Sequence, residues 1–121
     1  MTLNIRGIEK VSIEPNNRNR LTIPKSLLIS QYPETGGLEL YLQYFSFESK
    51  IGLLFSEEKM KTIFKPVNFD KNRRYIPTET ERELTELTTD KYMIGYGNFF
   101  IVANEMLTKK IIEKDYCPIN N

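Results

Sequence analysis

From Leu3 to Ile13 apolar residues alternate loosely with polar ones (Leu3, Ile5, Val11, Ile13), which predicts an extended strand broken at Gly7. The polar run Pro15-Asn16-Asn17-Arg18-Asn19 predicts a turn, because proline fixes φ and asparagine tolerates left-handed backbone. Leu21 and Ile23 flank Thr22 in a short strand. Pro24 ends its pairing and suits the first position of a short helix over Lys25 to Gln31, which Pro33 to Gly37 closes. Leu38 to Phe47 is apolar or aromatic at nearly every position and predicts a central strand covered on both faces. Glu48-Ser49-Lys50 turns the chain into a partner strand over Ile51 to Phe55. Ser56-Glu57-Glu58 predicts a helix cap with an acidic first turn, and Met60, Ile63 and Phe64 its buried stripe.

The second half repeats this order. Val67-Asn68-Phe69 is extended, Asp70 to Arg73 turns, and Tyr75-Ile76-Pro77 makes the short strand. Thr78 with Glu81 fits a capping box that opens a helix carrying Leu84 and Leu87. Lys91 to Tyr96 and Phe99 to Val102 predict a strand pair around Gly97-Asn98. Asn104 caps a last helix holding Met106, Leu107, Ile111 and Ile112. The repetition predicts one domain over 1–121 made of two similar halves, 8–65 and 66–114, with a tail over 115–121. Its plainest mark is the pair of stretches Asn16-Asn17-Arg18-Asn19-Arg20-Leu21-Thr22-Ile23-Pro24 and Asp70-Lys71-Asn72-Arg73-Arg74-Tyr75-Ile76-Pro77.

A length of 121 residues with 40% hydrophobic and 27% charged residues fits one soluble globular domain. No apolar run is long enough for a transmembrane helix, and the N-terminus lacks a secretory pattern. The single cysteine, Cys117, allows no intrachain disulfide, so a cytoplasmic location is expected. Without histidine, His-based triads and His-based metal sites are excluded. No glycine spacing fits a Walker loop or a dinucleotide fingerprint. The carboxylate pairs Glu57-Glu58 and Glu79/Glu83 fall in predicted first turns, where they complement the helix dipole. Neither an enzyme nor a cofactor or metal is expected.

A net charge of +1 hides an uneven distribution. Lys59 to Pro77 carries +5, Pro15 to Pro33 +3, and Thr78 to Asp90 −4. Local basic patches attract polyanions over about 10 Å at moderate salt. The aromatic run Tyr41, Tyr44, Phe45, Phe47 suits core or interface better than base stacking.

Arg20-Leu21-Thr22-Ile23-Pro24-Lys25 resembles the Gly-Arg-Ile-x-Ile-Pro-Lys core of the AbrB-type swapped-hairpin (SpoVT-AbrB) families. Two copies in one chain, each followed by a strand hairpin and a helix, look most like MraZ. The resemblance covers Ile8 to Lys114 and implies an α+β, mostly β fold: a duplicated swapped-hairpin small barrel with short helices. In that family the turn holds an Asp four residues before the Arg. Here, counting back from Pro24 puts Asn16 at the acidic position and Asn19 at the glycine. Counting back from Pro77 puts Phe69 at the acidic position, whereas Asp70 and Arg74 keep the spacing but leave the strand one residue short.

The family implies a DNA-binding transcriptional regulator whose Arg-bearing turns face double-stranded DNA, nucleoid-associated and assembled into homo-oligomeric rings. The candidate DNA-binding residues are Asn17, Arg18, Asn19, Arg20, Lys25, Lys71, Asn72, Arg73 and Arg74. Guanidinium forks match phosphates or guanine O6/N7, and asparagine amides match adenine. Ion pairing, of Arg73 with Asp70 or Arg20 with Glu14, is the structural role these arginines would otherwise have. The acidic segment Glu79 to Asp90 would have to face away from DNA or towards a neighbouring subunit. The rival expectation is a protein-interaction module, an antitoxin or phage or plasmid accessory protein that binds a protein partner.

Overall fold

A computed structural model of the chain describes residues 5–12, 20–24, 27, 37–58, 65–87 and 90–119. In chain order these form β1 (Gly7–Ser12), β2 (Leu21–Thr22), β3 (Leu38–Phe47), β4 (Lys50–Ser56), β5 (Lys65–Phe69) and β6 (Arg74–Tyr75). Helix α1 (Glu79–Thr85), β7 (Asp90–Gly95), β8 (Phe99–Ala103) and α2 (Glu105–Lys114) complete them. The class is α+β and mostly β.

Six strands form one antiparallel sheet in the order β1-β7-β8-β4-β3-β5. If β1 is exchanged with β5, β3 with β7 and β4 with β8, the order reads identically from the other edge. Its middle is the β4–β8 pair, where Leu53 faces Val102 and Phe55 faces Phe100. The outer strands cross between halves: β1 pairs with β7, and β5 with β3. Among the described residues, strands β2 and β6 pair with each other alone, as a separate antiparallel ribbon.

The sheet is open, with β1 and β5 as its edges, so the expected barrel does not close. The reason is one of length. β2 and β6 span two residues each, and they pair with one another instead of bridging the two edges.

Alternation along β4 sends Leu53 and Phe55 to one side of the sheet and Leu54 to the other, each with its own core. The first core gathers Leu21, Ile23, Leu40, Leu42, Phe69 and Met93, with Tyr75 packed against it, so the ribbon caps this side. The second gathers Phe45, Ile94 and Ile101 under Leu107 and Ile111 of α2. Consequently β4 and β8, buried from Gly52 to Ser56 and from Phe99 to Ala103, are the strands covered on both faces. β3 is not such a strand: Leu40 and Leu42 are buried while Tyr44 is 44% exposed.

Gly7 starts β1 rather than breaking it; a Cβ there would meet Leu27 Cδ2 at 2.8 Å. Glu48 and Ser49 make the β3–β4 turn with φ of 49° and 67°, the left-handed pair that a two-residue hairpin requires. The capping box forms, with Thr78 and Glu81 bonding each other's backbone. On α1 it is Glu81 and Thr85 that are buried, whereas Leu84 is exposed and Leu87 is buried beyond the helix end. Asn104 caps α2 by accepting from the Leu107 N–H at 2.8 Å. Leu107 and Ile111 are buried as expected, while Met106 and Ile112 face solvent. The Pro15–Asn19 turn, the Lys25–Gln31 helix apart from Leu27, and the helix stripe Met60, Ile63 and Phe64 lie outside the described residues.

Candidate nucleic-acid interface

The second Arg-bearing turn is organised by Asp70. The Arg73 N–H donates to the Asp70 carbonyl (2.9 Å), and the Asp70 N–H donates to the Arg74 carbonyl (3.0 Å). Asp70 Oδ1 accepts from the N–H groups of Asn72 (2.8 Å) and Arg74 (3.0 Å), while Oδ2 accepts from Arg74 Nε (3.1 Å). Desolvation alone would raise the Asp70 pKa. Hydrogen bonds from the Arg74 and Asn72 backbone and from the Arg74 side chain, with its charge, outweigh that and hold it below the ordinary carboxylate value. The four-residue Asp-to-Arg spacing is therefore the one this turn uses, and Asp70 pairs with Arg74 rather than with Arg73.

Arg73 takes the left-handed position at φ 62°, where a glycine would sit without strain. Its Nε donates to the Ile23 carbonyl at 3.0 Å, and its own carbonyl accepts from the Ile23 N–H at 2.9 Å. Arg73 thus stitches the two look-alike stretches together.

The register of the ribbon sets Leu21 opposite Tyr75 and Thr22 opposite Arg74. Cross-strand pairs share a face, so Leu21 and Tyr75 point into the core while Thr22 and Arg74 point outward. Continued by one residue, this register puts Arg20 and Ile76 on the outward face too. Arg20, Thr22 and Arg74 are half-buried and Ile76 is 49% exposed. Lys71 and Asn72 are exposed at the turn tip.

Of the nine candidate residues, Arg20, Lys71, Asn72, Arg73 and Arg74 are therefore gathered on one ribbon and its turn. Arg73 differs from the rest in being tied to Ile23. Asn17, Arg18, Asn19 and Lys25 lie outside the described residues. The acidic helix α1 starts four residues after β6, and Glu79, Glu83 and Glu86 on it are exposed.

Two charged residues matter in ways the sequence reading did not foresee. Glu81 is 3% exposed and Lys91 is fully buried. The capping-box motif pointed to Glu81 for its backbone bond. The carboxylate also accepts from the Tyr75 hydroxyl at 2.8 Å, a bond from β6 that the motif does not announce. Lys91 lies two residues before the buried Met93 and so shares its face of β7, but a lysine there carries no apolar signal of its own. Among the described residues no group of His, Cys, Asp or Glu is arranged to hold a metal, and no helix is long and apolar enough to cross a membrane. Comparisons with family models, with curated proteins and with solved structures gave no match to this chain.

Proposed function

We propose that the protein is a DNA-binding transcriptional regulator of the duplicated swapped-hairpin type, which reads duplex DNA with the outward face of the β2–β6 ribbon and its turns. The observation that carries this reading is the ribbon register, which aligns Thr22 with Arg74 and sets Arg20 diagonally beside them. A two-stranded ribbon fits the major groove of B-DNA. Asp70 bonds Arg74 through Nε, which orients a guanidinium whose terminal nitrogens have the geometry for phosphate or guanine. Lys71 and Asn72, at the tip, are suited to phosphate and adenine. The palindromic strand order supports a duplicated origin, and the strands exchanged between halves support the swapped-hairpin reading. One ribbon offers few phosphate contacts, so self-association that aligns several ribbons belongs to this proposal.

Selection of binding sites from random duplexes, followed by anisotropy titrations at several salt concentrations, tests it. The wild type is expected to enrich a sequence. Arg74→Lys, which keeps the charge and loses the fork, is expected to weaken binding to that sequence about tenfold and leave non-specific binding nearly unchanged. Failure to enrich any sequence, with no salt-dependent retention, contradicts the proposal.

The exposed apolar side chains Tyr44, Ile76 and Leu84 favour one second reading, a protein-binding module. A stoichiometric protein partner whose binding is lost in Ile76→Asp would establish it.

A further inference from the structure

An open cavity of about 360 Å³ lies between β3, the first residue of β5 and the start of α1. Leu42, Gln43 and Tyr44 line it from the sheet, Thr78 and Thr80 from the helix start, and Lys65 and Glu81 add its charged groups. The Glu81 carboxylate is held by three donors. Tyr75 Oη and the Thr78 N–H donate to Oε1 at 2.8 and 3.0 Å, and the Lys65 ammonium donates to Oε2 at 3.2 Å. Two of these donors belong to the framework of β6 and α1. The third is a flexible side chain that is 55% exposed. The Tyr44 hydroxyl titrates above its ordinary value, first through burial and then through the negative charge of Glu81, so it shares the field of that carboxylate.

We infer that this cavity is a binding site for a primary ammonium on a short aliphatic chain, with Lys65 as its resident occupant and a small alkyl amine as the exchangeable one. The lining residues supply groups of the kind such a ligand needs: the buried Glu81 carboxylate, the polar side chains of Thr80 and Gln43, and Leu42 and Tyr44 for the methylenes. Exchange of one ammonium for another keeps Glu81 compensated, so it avoids the large cost of a bare buried charge. Of the three donors the Lys65 ammonium is the one on a half-exposed side chain, so it is the one that a competing ammonium can replace. Because Tyr75 joins Glu81 to β6, occupancy also bears on the firmness of the ribbon. The inference does not rest on DNA binding.

Titration of the ¹⁵N-labelled full chain with 1,4-diaminobutane, followed by amide shifts, tests it, with 1,4-butanediol as the uncharged control. Saturable shifts are expected at Tyr44, Thr78 and Thr80 with the diamine and none with the diol. Lys65→Met removes the competitor and is expected to bind the diamine at least about tenfold more tightly. Adding Glu81→Gln to Lys65→Met is expected to abolish that binding. Equal response to the diol, or binding that survives Glu81→Gln, overturns the inference. Should the double variant not fold, the Lys65→Met protein decides alone: tighter binding than wild type supports the site, and equal or weaker binding refutes it.

Discussion

Asp70 and Arg74 show how one residue can serve both the fold and its proposed use. The carboxylate accepts two backbone N–H groups and the Arg74 Nε, so it closes the turn and aims the guanidinium together. Asp70→Ala removes the turn-closing bonds as well as the Arg74 pair, so it is expected to weaken specific DNA binding and to lower the melting temperature together. Asp70→Asn keeps an acceptor for the backbone N–H groups and loses the charge, so it is expected to weaken binding with little change in melting temperature. Lys91 has the opposite character. Its ammonium is buried with no hydrogen-bond acceptor among the described residues, and burial, then the nearby Arg82 charge, lower its pKa to about 8. The folded protein disfavours the charged form, so this lysine weakens the fold by a constant amount below pH 8, of order 3 kcal/mol. That cost diminishes as the pH rises from about 8 towards the ordinary lysine value of 10.5. Lys91→Met is expected to raise the melting temperature at pH 7, with a gain over wild type that shrinks between pH 8 and 10. The Asp70 turn was legible in its Asp-x-x-x-Arg spacing. Lys91 was not, because its burial depends on strands that meet from both ends of the chain.

Elements followed their local signals wherever caps and turns were written into adjacent residues. Thr78 and Glu81 form the capping box their spacing announces, and Asn104 caps α2. Thr78→Ala is expected to cost about 1 kcal/mol, read as a lower midpoint in urea with unchanged slope. In the β3–β4 turn, Ser49 holds φ 67° without being glycine, so Ser49→Gly is expected to stabilise the hairpin slightly, by about 0.5 kcal/mol. Patterning misled where burial was decided by neighbours. The aromatic run over β3 looked two-sided, yet the strands buried on both faces are β4 and β8, because they sit at the middle of the sheet. The apolar Leu84 lies on the exposed side of α1, since that helix turns Glu81 and Thr85 inward to meet Tyr75 and the sheet.

For the whole molecule, the repeated order of turn, short strand and helix led to an expectation of two similar halves; the structure shows one antiparallel sheet whose strand order is palindromic. Local patterning carried no information on how the halves meet. They exchange their first strands, β1 to β7 and β5 to β3, and join through β4 and β8. Neither half holds a complete sheet, so a fragment of residues 1–65 is expected to show no cooperative unfolding transition by circular dichroism. Phe55 stacks on Phe100 with ring centroids 5.1 Å apart at that junction, and Phe55→Ala is expected to cost about 3–5 kcal/mol. The same sheet leaves β2 and β6 as a separate two-stranded ribbon packed on the first core, and the proposed function rests on the ribbon's outward side. The most direct measurement is an amide-shift map of the full chain titrated with its selected duplex. The account predicts that the largest shifts fall on Arg20, Thr22, Lys71, Asn72 and Arg74, with α2 unmoved. Shifts confined to α2 or to the β1 edge, with the ribbon silent, would contradict it.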